Sequence, residues 1–299
     1  MSARSIALID APSDLGLRRT GVQHLPDALR EAGLIEAIGA PRHEERLAVP
    51  PYVPRLQGTA DIANAGGIAA FAGQLAERVT TALDCGHFPL VLGGDCSILL
   101  GSALALRRRG RFGLFFLDGH ADFYSPETEV NGEAASMDLA LAFGKGPDEL
   151  ANLDGCRPLV RESDTVVFGV RDAEFAAADG SPDVRETAAH VLDLAEVRRL
   201  GAGEAARYAL EAVRLSGVEG VWVHLDADVL NDAVMPAVDY RMPDGLWPEE
   251  LSETLSVVLA SRLVVGMEVT IYNPTLDDAE LTAARALVGC MMRAFRSVQ

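Results

Sequence analysis

Short apolar runs alternate with longer Ala- and Leu-rich stretches along the whole chain. The runs Ser5–Asp10, Phe88–Leu92, Gly113–Leu117, Thr165–Val170, Val221–Leu225 and Leu263–Val269 are rich in β-branched, aromatic or leucine side chains and predict strands. Helical patterning covers Pro26–Ile38, Asp61–Asp84, Ile98–Arg109, Glu204–Leu215, Pro248–Ala260 and Asp277–Phe295. Pro26 and Pro248 suit a first helical turn, and Gly86 suits the residue just past a helix end. Continuous apolar strands alternating with helices predict a mostly parallel sheet buried on both faces. Two segments fit neither period. Pro41–Gly58, with Pro41, Pro50, Pro51 and Pro54, reads as surface chain. Ser125–Gly146 reads as a long loop with a helical piece near Met137–Ala142, and long loops in α/β folds are often functional. No fixed-period repeat and no Gly/Ser/Pro-rich linker interrupts the chain, so residues 1–299 read as a single domain.

Charge narrows the partners. Lys and Arg total 26 against 44 Asp and Glu, a net charge of −18. That balance disfavours nucleic acid and suits a small cation or carboxylate-held metal, although surface solvation alone explains it equally well. No apolar run approaches the about 18 residues needed to span a bilayer. The N-terminus lacks a signal-peptide pattern. The cysteines, at positions 85, 96, 156 and 290, form no CxxC pair. A cytoplasmic location fits these features.

Candidate chemistry gathers where three strands end. Phe88–Leu92 leads into Gly93-Gly94-Asp95-Cys96-Ser97, Gly113–Leu117 into Asp118-Gly119-His120-Ala121-Asp122, and Val221–Leu225 into Asp226-Ala227-Asp228. In open α/β sheets, ligands sit at the carboxyl ends of strands. Asp118, His120 and Asp122 are spaced by two, as are Asp226 and Asp228, so in extended chain each set shares a face. Converging carboxylates do not all stay ionised out of water without a cation, and a divalent metal is the natural one. A single Asp there is more often a turn residue. Five acids and a histidine at three strand ends are not.

These motifs resemble those of the ureohydrolase superfamily, which includes arginase and agmatinase, with GGDHS, DAHxD and DxDxxDP. The resemblance covers nearly the whole chain. Asp10-Ala11-Pro12 and Leu25-Pro26-Asp27-Ala28-Leu29-Arg30 are similar to its first strand, loop and helix, and Met267-Glu268-Val269 with Asn273-Pro274 to its closing motif. It implies an arginase-like three-layer α/β/α fold and two divalent metal ions, Mn2+ foremost. One ion would be held by Cys96, Asp118, Asp122 and Asp226, the other by Asp118, His120, Asp226 and Asp228. A hydroxide shared between them would attack the guanidino carbon of a small cationic substrate. Glu268 is similar to the family's guanidinium-binding glutamate. Gly169-Val170-Arg171-Asp172-Ala173-Glu174 is similar to its G-L-R-D-x-D, which puts Glu174 near a substrate α-amino group and makes Asp172 a substrate-binding residue. Homo-oligomers are common in the family.

The chain also departs from that pattern. Cys96 stands where the family usually has a histidine ligand, and a thiolate is softer and anionic. A branch of the superfamily with Cys at this position cleaves Nω-hydroxy-L-arginine to ornithine and hydroxyurea. Where arginases carry S-G-N-x-H-G, this chain has Asn131-Gly132-Glu133-Ala134-Ala135-Ser136. Ala135 replaces a histidine tied to proton transfer, and Glu133 is an acid that could take over that role. Tyr124 and Asn131 fall where arginases contact the substrate carboxylate. His24, His43, His87, His190 and His224 carry no comparable signal. His224, two residues before Asp226, is expected in the core or beside the site. The leading reading is a hydrolase of arginine or an arginine derivative. The alternatives are an agmatinase- or guanidinobutyrase-like enzyme and a metal-poor, catalytically silent homologue with a regulatory role.

Overall fold

The computed structural model describes residues 5–39, 41, 43–53 and 61–296. Eight parallel strands form one sheet: β1 (Ile6–Asp10), β2 (His43–Arg46), β3 (Phe88–Leu92), β4 (Phe112–Leu117), β5 (Thr165–Phe168), β6 (His190–Leu192), β7 (Gly220–Asp226) and β8 (Val264–Thr270). Their order across the sheet is β2-β1-β3-β8-β7-β4-β5-β6. The helices are α1 (Leu25–Glu31), α2 (Leu34–Ile38), α3 (Ala65–Asp84), α4 (Leu99–Arg109), α5 (Asp138–Ala142), α6 (Asp148–Ala151), α7 (Ala173–Ala178), α8 (Leu194–Leu200), α9 (Ala202–Leu215), α10 (Pro248–Ala260) and α11 (Thr282–Arg296). None is long and apolar enough to cross a membrane, among the described residues.

The three-layer expectation holds, because the central strands bury both faces. On one face, Leu8, Leu90, Val223 and Met267 pack with apolar residues of α1, α2, α9, α10 and α11. On the other, Ile9, Val91, Phe116 and Trp222 pack with α3, α4 and α5. The order places β3, β8, β7 and β4 side by side. The three strand-end clusters therefore meet at one edge.

Several boundaries moved for local reasons. The Pro26–Ile38 helix breaks at Gly33, which adopts φ 97 and starts α2. The Asp61–Asp84 helix begins only at Ala65, after Asn64 at φ 56. The last helix begins at Thr282 rather than Asp277, because Asp277 accepts hydrogen bonds from the Ala283 and Ala284 amides. Inside Pro41–Gly58, His43–Arg46 forms an edge strand. Its charged sequence hid it, and such charge protects an exposed edge. Arg42 and residues 54–58 of that segment lie outside the described residues.

Candidate metal centre

Each strand end closes a turn with a carboxylate oxygen, and at Asp118 the second oxygen is left free. Asp118 accepts the His120 amide at 2.7 Å, and Asp226 accepts the Asp228 amide at 2.7 Å. Asp228 accepts the Gly119 amide at 3.0 Å through one oxygen and meets His120 Nδ1 at 2.7 Å through the other. Asp95 serves the architecture. It accepts the Ser97 and Gly16 amides and the Ser13 hydroxyl, pinning the loop after β1 to the turn that carries Cys96. The loops touch so closely there that a Cβ on Gly94 would lie 1.7 Å from the Ser13 carbonyl oxygen, so only glycine fits.

Two groups of ligand-type atoms result. Cys96, Asp118, His224 and Asp226 each offer one atom, all within 4.8 Å of one another. Asp118, His120 and Asp228 form a second such group, sharing Asp118. The fold thus gathers Cys96, Asp118 and Asp226 on one side, and Asp118, His120 and Asp228 on the other. Two details differ from expectation. Asp122, at φ 43, lies outside both groups, yet among the surrounding acids it acts most strongly on Asp118 and it borders the same cleft. Asp226 joins only the first.

The electrostatics call for a cation. Burial, followed by repulsion from Asp122, Asp226 and Asp228, holds Asp118 well above the ordinary carboxylate range. Burial, then Asp228, does the same to Asp226. Burial, then Asp226, raises the Cys96 thiol, whose Sγ donates to Asp226 Oδ2 at 2.9 Å. Asp228 alone goes the other way: burial opposes ionisation, but His120 wins and brings it down to about 2. Buried Asp118 Oδ2 and His224 Nε2 have no hydrogen-bond partner. Orphaned acceptors amid mutually repelling acids are what a divalent ion satisfies, and the O, N and S donor set fits one.

A cleft of about 610 Å3 opens over this centre, bordered by Cys96, His120, Asp122, Asp226 and Asp228. Tyr124, Asn131 and Asp172 line it as well, as does Ala135, a methyl wall where a histidine was the family pattern. Tyr124 is fixed by its hydroxyl donating to Asp179 at 2.9 Å. Asp172 is buried and accepts the Ala121 amide at 3.0 Å.

Three expected substrate or proton-transfer residues do not reach the cleft. Glu268 is wholly buried, receiving Ser102 Oγ at 2.6 Å and facing His224 Nδ1 at 2.7 Å. It points from β8 into the layer beneath the centre, so it does not meet a substrate; Ile271, just past the strand, lines the cleft instead. Glu174 sits exposed on α7 and lines a separate depression with Arg171 and Arg185. Glu133 is buried, and its carboxylate is taken up by Tyr240 and by Arg18 Nε at 2.9 Å, so it is no free proton carrier. The sequence reading missed Asp138, the first residue of α5. It is wholly buried beside Asp122, and burial raises both acids. An acid in a first helical turn looks like an ordinary dipole partner, which concealed it.

A parallel sheet with a buried carboxylate, imidazole and thiol constellation at its carboxyl edge defines an α/β enzyme of the metal-centred kind. Comparison with known proteins gives the family. The arginase family model matches residues 4–295. Arginase from Bacillus caldovelox is 30% identical over 297 residues, covering 96% of this chain and 98% of its own. Arginase from Bacillus subtilis (strain 168) is 28% identical over 287 residues, covering 95% of each. The native structure of the Bacillus caldovelox arginase at pH 5.6 aligns with TM-score 0.85 and 27% identity, covering 98% of both chains. The chain belongs to the arginase family, and it is accordingly a hydrolase of C–N bonds in amidines.

Proposed function

We propose that this hydrolase cleaves the guanidino group of arginine or an arginine derivative, Nω-hydroxy-L-arginine foremost, releasing an amine such as ornithine with urea or hydroxyurea. The observation that carries the reading is the placement of Cys96, Asp118 and Asp226 beneath a cleft with polar groups suited to both ends of an amino acid. Asn131 and Arg241, which line the cleft, suit a carboxylate; Asp172 and Asp179, the latter holding the Tyr124 hydroxyl, suit an ammonium.

Two divalent ions, manganese foremost, fit the centre, with Cys96, Asp118 and Asp226 on one and Asp118, His120 and Asp228 on the other. When bound they supply Lewis-acid polarisation and lower the pKa of water. The protein's own share is positional. Asp118 and Asp226 are fixed by the turns they close, and Asp228 orients His120 through Nδ1. Asp122 borders the cleft and is the acid placed to pass a proton to the departing nitrogen. Residues 1–299 act as one domain, and a reducing cytoplasm suits its four free cysteines.

A second reading, a guanidine lacking the amino-acid backbone, draws on one observation: Glu174, expected at the α-amino group, is exposed on α7 and lines a neighbouring depression rather than the cleft. One experiment separates these readings. Metal-loaded protein is incubated with L-arginine, Nω-hydroxy-L-arginine, agmatine and 4-guanidinobutyrate, with urea and hydroxyurea quantified separately. Turnover highest on an amino-acid substrate supports the first reading, and turnover confined to agmatine or guanidinobutyrate replaces it. No turnover, with little metal retained, leaves the metal-poor, silent homologue.

A further inference from the structure

We propose that His224 is a ligand of the first metal ion, supplying through Nε2 the imidazole that the Cys96 turn lacks, with Glu268 and Ser102 as its positioning residues. The inference rests on the metal-centre reading above and adds a donor to it.

The argument starts from strand register. Phe116, His224 and Glu268 lie opposite one another on β4, β7 and β8, so their side chains share one face of the sheet. Asp118, Asp226 and Thr270 follow each by two residues and form the layer above on that face. His224 is wholly buried and stacks on Phe116, with ring centroids 4.7 Å apart and planes 7° from parallel. Its Nδ1 faces Glu268 Oε1 at 2.7 Å, and Ser102 Oγ donates to the other Glu268 oxygen at 2.6 Å. The carboxylate accepts this hydrogen bond, so Nδ1 carries the hydrogen, and in the neutral ring Nε2 keeps its lone pair. That nitrogen is buried without a partner, beside Cys96, Asp118 and Asp226.

A histidine kept only for packing would not leave an acceptor orphaned among carboxylates and a thiol donor. A carboxylate holding the far nitrogen of an imidazole is the usual support of a metal-binding histidine, because it sets both tautomer and ring angle. Neutral imidazole also suits this place electrostatically. Cys96 as thiolate adds a negative charge to the first site, and His224 fills a coordination position without adding another.

The test uses the full chain with isotopically labelled histidine nitrogens, stripped by chelator and loaded with an NMR-active cadmium isotope. Cadmium is diamagnetic and accepts thiolate, imidazole and carboxylate donors together. Two ions per chain are expected, with the His224 ring showing a protonated Nδ1 and cadmium coupling at Nε2. The variant His224→Gln, checked by circular dichroism, is expected to lose that signal and hold one ion. If the variant does not fold, Glu268→Gln serves, with first-site affinity weakened by about 10–100-fold. Two bound ions with an uncoupled His224 ring, or unchanged first-site affinity in a folded variant, would overturn the assignment while leaving the metal centre standing. Failure of the wild-type chain to bind any cadmium would overturn both.

Discussion

His224 and Glu268 meet across adjacent parallel strands, Nδ1 to Oε1 at 2.7 Å, with both side chains wholly buried. The contact removes Glu268 from the substrate cleft and gives it a structural duty. Ser102 completes the arrangement from α4. Replacing Ser102 with Ala leaves one buried carboxylate oxygen without its donor, a loss of about 1–3 kcal/mol. Urea unfolding of Ser102→Ala is expected to show it at unchanged slope. Wild-type stability in that variant would mean that the hydroxyl is not holding Glu268.

The buried acids predict how stability depends on pH when metal is removed. Asp118, Asp122, Asp138 and Asp226 are raised above the ordinary carboxylate range by burial and one another, so the folded chain binds more protons than the unfolded one. Their contribution is full below about pH 4 and is lost as pH rises through the raised values. His120 is raised by Asp228 against the effect of burial, and its contribution is likewise lost on the alkaline side. Asp228, at about 2, works oppositely and costs stability only as pH falls from 3.8 towards that value. Chelated protein is therefore expected to lose stability as pH rises above about 4. Stabilisation by added Mn2+ should grow over the same interval, because the ion binds the deprotonated groups. The check is urea midpoint against pH with and without metal. A flat or rising profile in the chelated protein contradicts the clustering of unpaired acids.

Cys96 makes a prediction about metal preference. A thiolate favours soft ions, whereas a hydroxyl at the same place does not. Cys96→Ser keeps a hydrogen-bond donor for Asp226 and removes the sulfur. Competition between Cd2+ and Mn2+ for the stripped protein is expected to shift towards Mn2+ by tenfold or more, about 1.4 kcal/mol. An unchanged ratio would show that the sulfur packs beside the ions without binding them.

Much of this centre was legible along the chain because its rule is local. Asp118 and His120, or Asp226 and Asp228, are two apart at strand ends, and the sheet edge brings such pairs together. What escaped depends on relations between strands or on a single torsion. His224 on an apolar strand looks like a core residue; only its register with Phe116 and Glu268 turns Nε2 towards the acids. The spacing by two predicts extended backbone at Asp122, where φ is 43. The short strands β2 and β6 are an edge strand and a three-residue strand, with too little apolar patterning to announce themselves. Glu268 was recognised by its surroundings in a motif. Its side chain faces inward because it shares the register and face of His224.

The residue that does border the cleft past β8 is Ile271, and it yields a prediction about substrate choice. Its φ of 69 is unusual for a β-branched side chain, and its amide is held by the Gly94 carbonyl at 2.8 Å. An apolar wall there offers no partner to a strongly cationic guanidinium. It penalises a less basic N-hydroxyguanidine less. Ile271→Glu would place a carboxylate on that wall, and a bidentate acceptor favours the planar cation. Glutamate is unbranched at Cβ and tolerates the left-handed torsion better than isoleucine does. The ratio of kcat/KM for L-arginine to that for Nω-hydroxy-L-arginine is expected to rise tenfold or more in Ile271→Glu, about 1.4 kcal/mol of differential stabilisation. Metal content is measured alongside, so that a disturbed centre is not mistaken for altered recognition. An unchanged ratio at equal occupancy would mean that the guanidino group does not lie against Ile271, and that Cys96 or the loop carrying Ala135 sets the preference instead.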